Sequence, residues 1–276
     1  MKSLNIWGSE IYYRLLIKAD ARLSFDGKAF IQNDQGKKIP YVVLNTAFFE
    51  KEASALFQRF RQSRTALASV ETTADPELMK FEKSLLKSKN PSRPFSSSLT
   101  PSLKNSLKSL QTSLEDMAWF QVYKDSVEDS ATLEEAKRRF VRQFSARRMK
   151  TIEFHEATHL YDMQRSGNIE SPAFKRFTEA NAFYAELVYG DNPHDVMAQA
   201  LAGVLDELNR GKVVDYSVDK VLSVLRFLKQ CPRFAELIKS EPFSKCCLEM
   251  IAKVKRSDFI SAGKELYRSH LANHSS

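Results

Sequence analysis

The sequence predicts a mainly helical α+β protein in which a small N-terminal antiparallel β-sheet is followed by helices. Three observations support this prediction. Segments rich in β-branched and aromatic residues lie within residues 21–45, and apolar residues recur at helical spacing over much of the chain after Asn45. Two capped segments between residues 132 and 190 predict a pair of consecutive helices.

The first β region is predicted to be a hairpin. Residues 21–25 and 28–32 flank Asp26 and Gly27. An Asp-Gly pair is typical of the two-residue type I′ turn that joins antiparallel strands. A second turn is expected at residues 33–36, where Asn, Asp and Gly occur together.

The next strand is predicted at residues 39–44, IPYVVL, which are rich in β-branched and aromatic side chains. Proline has no backbone N–H to donate to a neighbouring strand. Pro40 therefore predicts that this strand lies at an edge of the sheet or begins there. After Asn45 the spacing of apolar residues becomes helical, and it predicts a helix from Phe48 to about Arg64.

A polar segment at residues 88–102, SKNPSRPFSSSLTPS, combines serine with proline and predicts a loop or a mobile linker. The chain then divides into an N-terminal region of β-hairpin, strand and helix at 1–87, a Ser/Pro-rich segment at 88–106 and a helical region at 107–276. Two interpretations stay open. The segment separates two domains, or it is a long surface loop inside one domain.

Two helices in the middle of the chain have recognisable starts. Thr132 and Glu135 form a capping box, and the helix that follows can extend to Arg165. Ser171-Pro172 provides an N-cap and a first-turn proline for another helix that ends near Gly190. The last hundred residues predict a helical bundle, with helices at residues 196–208, 218–228, 234–238, 244–254 and 259–271.

The composition argues against several classes of protein. The first twenty residues contain no apolar run of the signal-peptide kind. The sequence also lacks a stretch of about 18 apolar residues, which a membrane-spanning helix would need. The chain has three cysteines, an odd number, and they lack a C-x-x-C spacing: Cys231, Cys246 and Cys247. They argue against a disulfide framework and against a cysteine metal site. We expect a cytoplasmic protein, or one exported without a recognisable signal peptide.

The net charge of +8, from 42 basic and 34 acidic residues, favours acidic partners. The densest basic run is residues 137–150, and its charges surround the predicted helix when they are projected at about 100° per residue. A nucleic-acid-binding helix would concentrate these charges on one face. The pattern therefore favours a solvated helix over a nucleic-acid-binding surface.

The clearest chemical motif is HEATH at residues 155–159. Positions four apart on an α-helix differ by about 40° around its axis, so His155 and His159 project side by side and can share one metal ion. Glu156 lies beside them, where its carboxylate can reach a water on that metal without binding the metal. Apolar residues near the histidine directions predict that the histidines point inward. A pair of hydrogen-bonded core histidines is the alternative.

A catalytic zinc has three protein ligands and keeps one position open for water. Asp162 and Arg165 stand where the metzincin pattern needs Gly and a third His, so that class is excluded. Asp162 lies on the same predicted helix as His155 and His159, and one straight helix can hardly supply three ligands in tetrahedral positions. Asp162 is better placed to hold a histidine through a hydrogen bond. Glu179, on the following helix, is the stronger candidate for the third ligand. Glu186, one heptad later and on nearly the same face, competes with it.

These residues resemble the gluzincins, the HExxH metallopeptidases whose third ligand is a glutamate on a downstream helix. In that family the ligand often begins an E-x-x-[AS]-[DE] stretch, and EANA at residues 179–182 matches its first four positions. The fifth position is an acidic residue that orients a zinc-bound histidine in the family. Here it is Phe183, so Asp162, Asn181 or Glu186 would have to replace it.

The resemblance covers residues 150–190 and favours Glu179 as the zinc ligand. It implies a zincin-like fold, in which the strand at 39–44 corresponds to the edge strand that binds substrate backbone. The implied activity is zinc-dependent hydrolysis of a peptide bond in a protein or peptide substrate. Zinc lowers the pKa of its bound water towards about 7, and Glu156 would take the proton and deliver it to the leaving amine.

A tetrahedral oxyanion needs a further hydrogen-bond donor, and the candidates are Tyr184, Tyr189, Tyr216 and His194. The position of His194 near a predicted helix start favours a surface or helix-capping residue over an oxyanion donor. Two rival functions are retained. One is a catalytically inactive binding protein that a metal braces, which the departure at Phe183 favours, and the other is a basic nucleic-acid-binding protein that uses residues 137–150.

Overall fold

The computed structural model of the protein describes residues 1–20, 22, 26–63, 79–83, 100–166, 171–210, 216–230 and 251–272. Within them a four-stranded sheet is followed by helices, which confirms the predicted mainly helical α+β fold. The elements are β1 (Lys2–Ile6), β2 (Ser9–Lys18), β3 (Gly27–Asp34), β4 (Lys37–Asn45), α1 (Thr46–Gln62), α2 (Pro101–Glu128), α3 (Leu133–Ser166), α4 (Pro172–Tyr189), α5 (Pro193–Arg210), α6 (Tyr216–Gln230) and α7 (Arg256–Ala272). A 3-10 turn at Ile251–Lys253 precedes α7.

The sheet is mixed, so the expectation of an antiparallel sheet is wrong. Its strand order is β1-β2-β4-β3. The pairs β1·β2 and β3·β4 are antiparallel, but β2 and β4 run parallel, with Arg14 opposite Tyr41 and Lys18 opposite Asn45. The parallel pair arises because β3 takes the edge position, and β4 then returns beside β2 in the same direction.

Strands β1 and β2 precede residue 21, and the sequence analysis, which placed strands only within residues 21–45, missed both of them. Trp7 and Gly8 have φ values of 52° and 81° and form the two-residue turn between these strands. Ile11 and Tyr13 are buried, while Tyr12 between them is 50% exposed. This alternation with a period of two is the sequence signal of a half-buried strand.

The tight turn between β3 and β4 consists of Gln35 and Gly36, which have φ values of 49° and 82°. It confirms the second predicted turn, because positive φ at both central residues is the type I′ geometry. A hairpin turn at Asp26-Gly27 was also predicted, but Gly27 lies in a strand instead. Gly27 begins β3 and pairs with Leu44 of β4, and the strand predicted at 21–25 lies outside the described residues except for Arg22, which forms a turn.

Pro40 does not place its strand at an edge, because β4 lies between β2 and β3. The pairing of β4 with β2 begins at Tyr41, the residue after Pro40. The missing N–H therefore lies just outside the parallel ladder, where the loss of a hydrogen bond is tolerated.

The predicted helix starts are confirmed. Thr132 Oγ1 accepts a hydrogen bond from Glu135 N at 3.2 Å, and Glu135 Oε2 accepts one from Ala131 N at 3.1 Å. Ser171 Oγ accepts one from Phe174 N at 3.0 Å. These caps begin α3 and α4, and the helix predicted from Phe48 corresponds to α1.

Helix α2 begins at Pro101, so the last part of the predicted segment 88–106 is helical, and residues 88–99 lie outside the described residues. Helices α5, α6 and α7 confirm the helices predicted at 196–208, 218–228 and 259–271. The helix predicted at 234–238, most of the one at 244–254 and the three cysteines lie outside the described residues. No described helix is both long enough and apolar enough to cross a membrane.

Contacts divide the chain into two units, Met1–Ala66 with Trp119–Asn192 and Leu67–Ala118 with Pro193–Ser276. Neither unit is continuous in sequence, whereas the regions predicted at 1–87 and 107–276 are. In the first unit, the inner face of the sheet packs against α3. Its buried residues are Ile6, Ile11, Tyr13, Val42 and Leu44 from the strands, and Ile152, Phe154, Ala157, Leu160 and Tyr161 from α3.

An aromatic cluster packs α3 against α1 and the end of α2 within the same unit. Phe57 and Phe60 of α1 contact the ring of Phe140 in α3, with centroids 5.7 and 6.3 Å away. Tyr123 of α2 joins them at 5.2 Å from Phe57. Helix α3 is thus held along most of its length, which fixes the direction of the histidine face.

Candidate metal centre

Three predicted ligands meet where α3 and α4 pack together. Ligand atoms of His155, His159 and Glu179 all lie within 4.8 Å of one another. The Nε2 atoms of the two histidines are 3.0 Å apart. The two carboxylate oxygens of Glu179 lie 3.8 Å from them, Oε2 from His155 and Oε1 from His159. We refer to these three residues as the ligand cluster.

The ligand cluster has dimensions suited to zinc. Zinc–nitrogen distances of about 2.0–2.1 Å in a tetrahedral site place two ligand atoms roughly 3.3 Å apart. The separations of 3.0 and 3.8 Å each lie within about half an ångström of this value. Two imidazoles and one carboxylate are also a ligand set of known catalytic zinc sites, which leave a fourth position open.

Glu186 holds His155 from behind the ligand cluster. Its carboxylate accepts a hydrogen bond from His155 Nδ1, which directs Nε2 of the same ring toward His159. Of the two glutamates that competed for the third ligand, Glu179 lies in the ligand cluster and Glu186 lies against the histidine. Asp162, Asn181 and Glu186 were the candidates to replace the acidic residue that orients a histidine in the gluzincins. Glu186 is the one of these whose described contact is with a histidine, and the ring of Phe183 is buried.

Asp162 and Asn181 bind each other. Asn181 Nδ2 lies 3.2 and 3.1 Å from the two carboxylate oxygens of Asp162, and both residues are buried. This contact ties α3 to α4 one turn from His159. Burial raises the pKa of Asp162 to about 7, although Asn181 and the charge of Arg165 oppose the rise.

Glu156 lies beside the ligand cluster, 8% exposed. Burial is the main cause that raises the pKa of Glu156 to about 7, and the negative charges of Asp26 and Glu179 add to it. The positive charge of His155 and a hydrogen bond from the backbone N–H of Ala29 act in the opposite direction. A carboxylate with a pKa near neutrality is suited to accept and return a proton at physiological pH.

Strand β3 contacts the HExxH turn through Gly27. A Cβ atom at Gly27 would lie 2.4 Å from Ile152 Cγ2 and 3.0 Å from Glu156 Cγ and Oε1. Only a residue without a side chain permits this approach. Sequence reasoning assigned Asp26 and Gly27 to a turn and missed both the approach of Gly27 to Glu156 and the effect of the Asp26 charge on it. The edge strand beside the site is therefore β3, and the expectation that residues 39–44 form that edge is wrong.

His155 is surrounded by carboxylates. Burial disfavours its charged form and is the largest single influence, yet its pKa is raised to about 9. The charge and hydrogen bond of Glu186, together with the charges of Glu156 and Glu179, outweigh the burial. The site therefore has a negative potential that favours a cation.

The described contacts of the predicted oxyanion donors lie away from the ligand cluster. Tyr184 is buried beside Phe183 and lies about 140° around α4 from Glu179. Tyr189 OH accepts a hydrogen bond from Trp7 N at 3.0 Å. The side chain of Tyr216 is not among those described.

His194 belongs to the second unit, and it is partly buried rather than a surface residue. Its Nε2 donates to the carbonyl of Val254 at 2.9 Å, and its ring packs edge-on against Phe259 with centroids 5.2 Å apart. Burial lowers its pKa. These contacts give His194 a packing role inside that unit.

Three of the seven basic residues at 137–150 are engaged within the first unit. Arg139 pairs with Asp129 at 2.6 Å, and Lys150 pairs with Asp191 at 2.8 Å. Arg148 is buried and lies 3.6 Å from Glu52. These ion pairs reduce the charge that a nucleic-acid backbone would contact.

Comparison with known proteins gives no match. No protein family, no curated protein and no solved structure matches this chain. Function is therefore inferred from the residues and their geometry.

Proposed function

We propose that the protein is a zinc-dependent peptidase with a zincin-like catalytic site. The observation that carries this proposal is the convergence of His155, His159 and Glu179 at separations that suit one zinc ion. Two neighbouring carboxylates strengthen it. Glu156 lies beside the ligand cluster, and Glu186 holds the Nδ1 atom of His155.

Each residue has a distinct role in this proposal. His155, His159 and Glu179 hold the metal and leave a fourth position open. Bound zinc supplies Lewis acidity and lowers the pKa of water to about 7. Glu156 accepts the proton of the attacking water and returns it to the nitrogen of the leaving amine, which its raised pKa allows.

Strand β3 is the proposed support for the substrate backbone. It is an edge strand, and its residues Gly27 and Ala29 lie next to Glu156. An extended peptide can add to such an edge through backbone hydrogen bonds. This arrangement would bring a peptide bond to the carboxylate that activates water.

The test combines metal content with hydrolysis of a generic unfolded protein. We expect about one zinc per chain, as for a catalytic zinc site. Glu156→Gln is expected to keep the metal and to lose hydrolysis by about 100-fold or more, because it removes the general base. Glu134→Gln, the same change in the exposed first turn of α3, is the matched control and should retain activity. Unchanged hydrolysis by Glu156→Gln would overturn the proposal.

A metal-braced binding protein is the second candidate. The limited exposure of the ligand cluster favours it, since His155, His159 and Glu179 are 14%, 13% and 23% exposed. In that case zinc would tie α3 to α4 without reacting. Bound zinc, together with no cleavage of any unfolded protein or peptide library, would select this function over hydrolysis.

A further inference from the structure

Asp26 places a carboxylate on the free edge of β3. Its backbone oxygen accepts a hydrogen bond from Asn45 N of β4 at 2.9 Å. The N–H of Gly27 belongs to the same trans peptide and therefore points the opposite way, to the edge that no described strand covers. Asp26 Oδ1 accepts a hydrogen bond from this N–H at 2.8 Å, so the carboxylate lies on that edge.

The same edge faces the residue proposed to activate water. Two residues further along β3, the backbone N–H of Ala29 donates a hydrogen bond to Glu156. A Cβ atom at Gly27 would lie 3.0 Å from Glu156 Oε1. Measured through the Gly27 backbone, Asp26 Oδ1 therefore lies at most about 8 Å from that oxygen. Asp26 is thus within reach of a long side chain on a peptide whose scissile bond lies at Glu156.

No described cation balances the charge of Asp26. The residue is half-buried, its hydrogen bonds are the two backbone ones given above, and no described Lys or Arg forms an ion pair with it. Lys28, which is nearest in sequence, is exposed. Because side chains alternate along a strand, Lys28 projects from the sheet face opposite to the one at which Gly27 meets α3. The carboxylate of Asp26 is therefore open to a cation that another molecule brings.

The carboxylates around the ligand cluster give the site the same sign of charge. Glu156, Glu179 and Glu186 all lie close enough to His155 for their charges to act on it. A zinc ion carries two positive charges and would balance two of the four carboxylates that these residues form with Asp26. The local charge is therefore negative, whereas the net charge of the whole chain is +8.

We propose that Asp26 selects peptides that carry a basic side chain, Lys or Arg, beside the bond that is cleaved. This inference rests on the proposed peptidase function and names the substrate class of the same site. A Lys or Arg side chain is long and flexible enough to reach Asp26 while its backbone lies along β3. An acidic side chain in that position would be repelled by Asp26 and by Glu156. Asp26 is therefore the specificity-determining residue of the site.

Peptide binding tests this selection without requiring hydrolysis. End-capped, alanine-rich peptides with a central lysine, norleucine or glutamate are titrated against the full chain with Glu156→Gln, and fluorescence anisotropy measures their affinities. The lysine peptide should bind about fivefold more tightly than the norleucine peptide, and the glutamate peptide should bind most weakly. The net charge of +8 would favour the glutamate peptide, so a lysine preference reports the local charge. Equal binding of the peptides, or no binding, would overturn the proposal.

Matched variants assign the preference to Asp26. Asp26→Asn removes the charge and keeps an oxygen that can accept from Gly27 N, so the preference for lysine over norleucine should disappear while the strand is kept. Asp34→Asn makes the same change on an exposed residue at the other end of β3 and should retain the preference. Circular dichroism confirms that both variants are folded. A preference that survives in Asp26→Asn, or that both variants lose equally, would overturn the role of Asp26.

Cleavage of a peptide library separates this inference from the proposed function. Mass spectrometry of the products should show Lys or Arg enriched beside the cleaved bonds, and Asp26→Asn should lose this enrichment while it still cleaves peptides. Any effect of Asp26 on Glu156 is common to all peptides and does not change the enrichment. Cleavage without enrichment would overturn the selection and leave the peptidase. Binding that prefers lysine, together with no cleavage, would overturn the peptidase and leave Asp26 as a residue that binds cations.

Discussion

At the scale of single residues, Glu186 and Glu179 illustrate how two carboxylates on one helix can have different roles. They lie seven positions apart on α4 and therefore on nearly the same face. Glu179 lies near both Nε2 atoms, whereas Glu186 accepts from Nδ1 of His155. In the proposed metal site, one carboxylate binds the ion and the other orients a ligand.

This assignment predicts a graded loss of zinc affinity. Glu179→Gln removes a ligand and should abolish tight binding. Glu186→Gln keeps a hydrogen-bonding group at Nδ1 and should weaken zinc binding about 10- to 100-fold, the usual effect of a residue that orients a ligand. Competition with a chromophoric chelator measures both constants. A larger loss in Glu186→Gln than in Glu179→Gln would exchange the two roles.

The Asp162–Asn181 contact predicts a stabilising substitution. Asn181 Oδ1 is buried and has no hydrogen-bond partner among the described residues, while Asn181 Nδ2 donates to Asp162. Asp162→Asn would keep an acceptor for Nδ2 and offer a donor to Oδ1. It would also remove a carboxylate whose charge is disfavoured by burial.

The sign of the pH dependence follows from the raised pKa of Asp162. The folded protein keeps a proton up to about pH 7 that the unfolded chain releases near pH 3.8, so this residue lowers the stability of the wild type as pH rises through that window. The free energy of unfolding of Asp162→Asn should therefore be about 1–3 kcal/mol higher than that of the wild type at pH 8, with a smaller difference at pH 5. Urea unfolding at both values measures it. A variant destabilised at pH 8 would contradict the expectation.

The HExxH residues could be predicted because their spacing alone determines which helix face they share. The position of Glu179 near the histidines could be predicted because the connection between α3 and α4 is short, so that α4 packs back against α3. The partner of Asp162 depends on the register between two packed helices, and residue spacing does not specify it. The approach of Gly27 to Glu156 is a tertiary contact between residues about 130 positions apart, and no local pattern indicates it.

At the scale of secondary structure, helices were predicted better than strands because helix caps are local. Thr132 and Ser171 mark the starts of α3 and α4, and each accepts a hydrogen bond from a backbone N–H only three residues later. The parallel pairing of β2 with β4 joins strands that are not consecutive, and therefore depends on the whole fold. The alternation of Ile11 and Tyr13 with exposed residues was nevertheless a usable strand signal.

The close approach of Gly27 predicts that β3 positions the HExxH turn of α3. Gly27→Ala would force its Cβ against Ile152 and Glu156, so we expect about 1–3 kcal/mol of destabilisation and a shift of Glu156 that lowers hydrolysis. Gly36→Ala is the matched control. A Cβ at this position would meet no described atom within 4 Å, and the positive φ should cost about 1–2 kcal/mol without affecting hydrolysis. Equal hydrolysis in both variants would show that β3 does not position Glu156.

At the scale of the whole molecule, the first unit assembles residues from both sides of the Ser/Pro-rich segment. Residues 1–66 supply the sheet and α1, and residues 119–192 supply α3 and α4. The inner face of the sheet requires α3 to cover it, which explains why the unit is discontinuous. Linear changes in composition could not reveal this division.

Zinc is expected to stabilise this unit directly, because it would join α3 to α4. At a free zinc concentration 100-fold above the dissociation constant, linkage gives about 2.7 kcal/mol of added stability. For a unit of this size the melting temperature should rise by roughly 5–10 °C. Differential scanning calorimetry with and without a chelator measures the shift. If the two units unfold separately, the transition of the first unit alone should move. Glu156→Gln should keep the shift and His159→Ala should lose it, and a shift that survives in His159→Ala would show that the metal binds elsewhere.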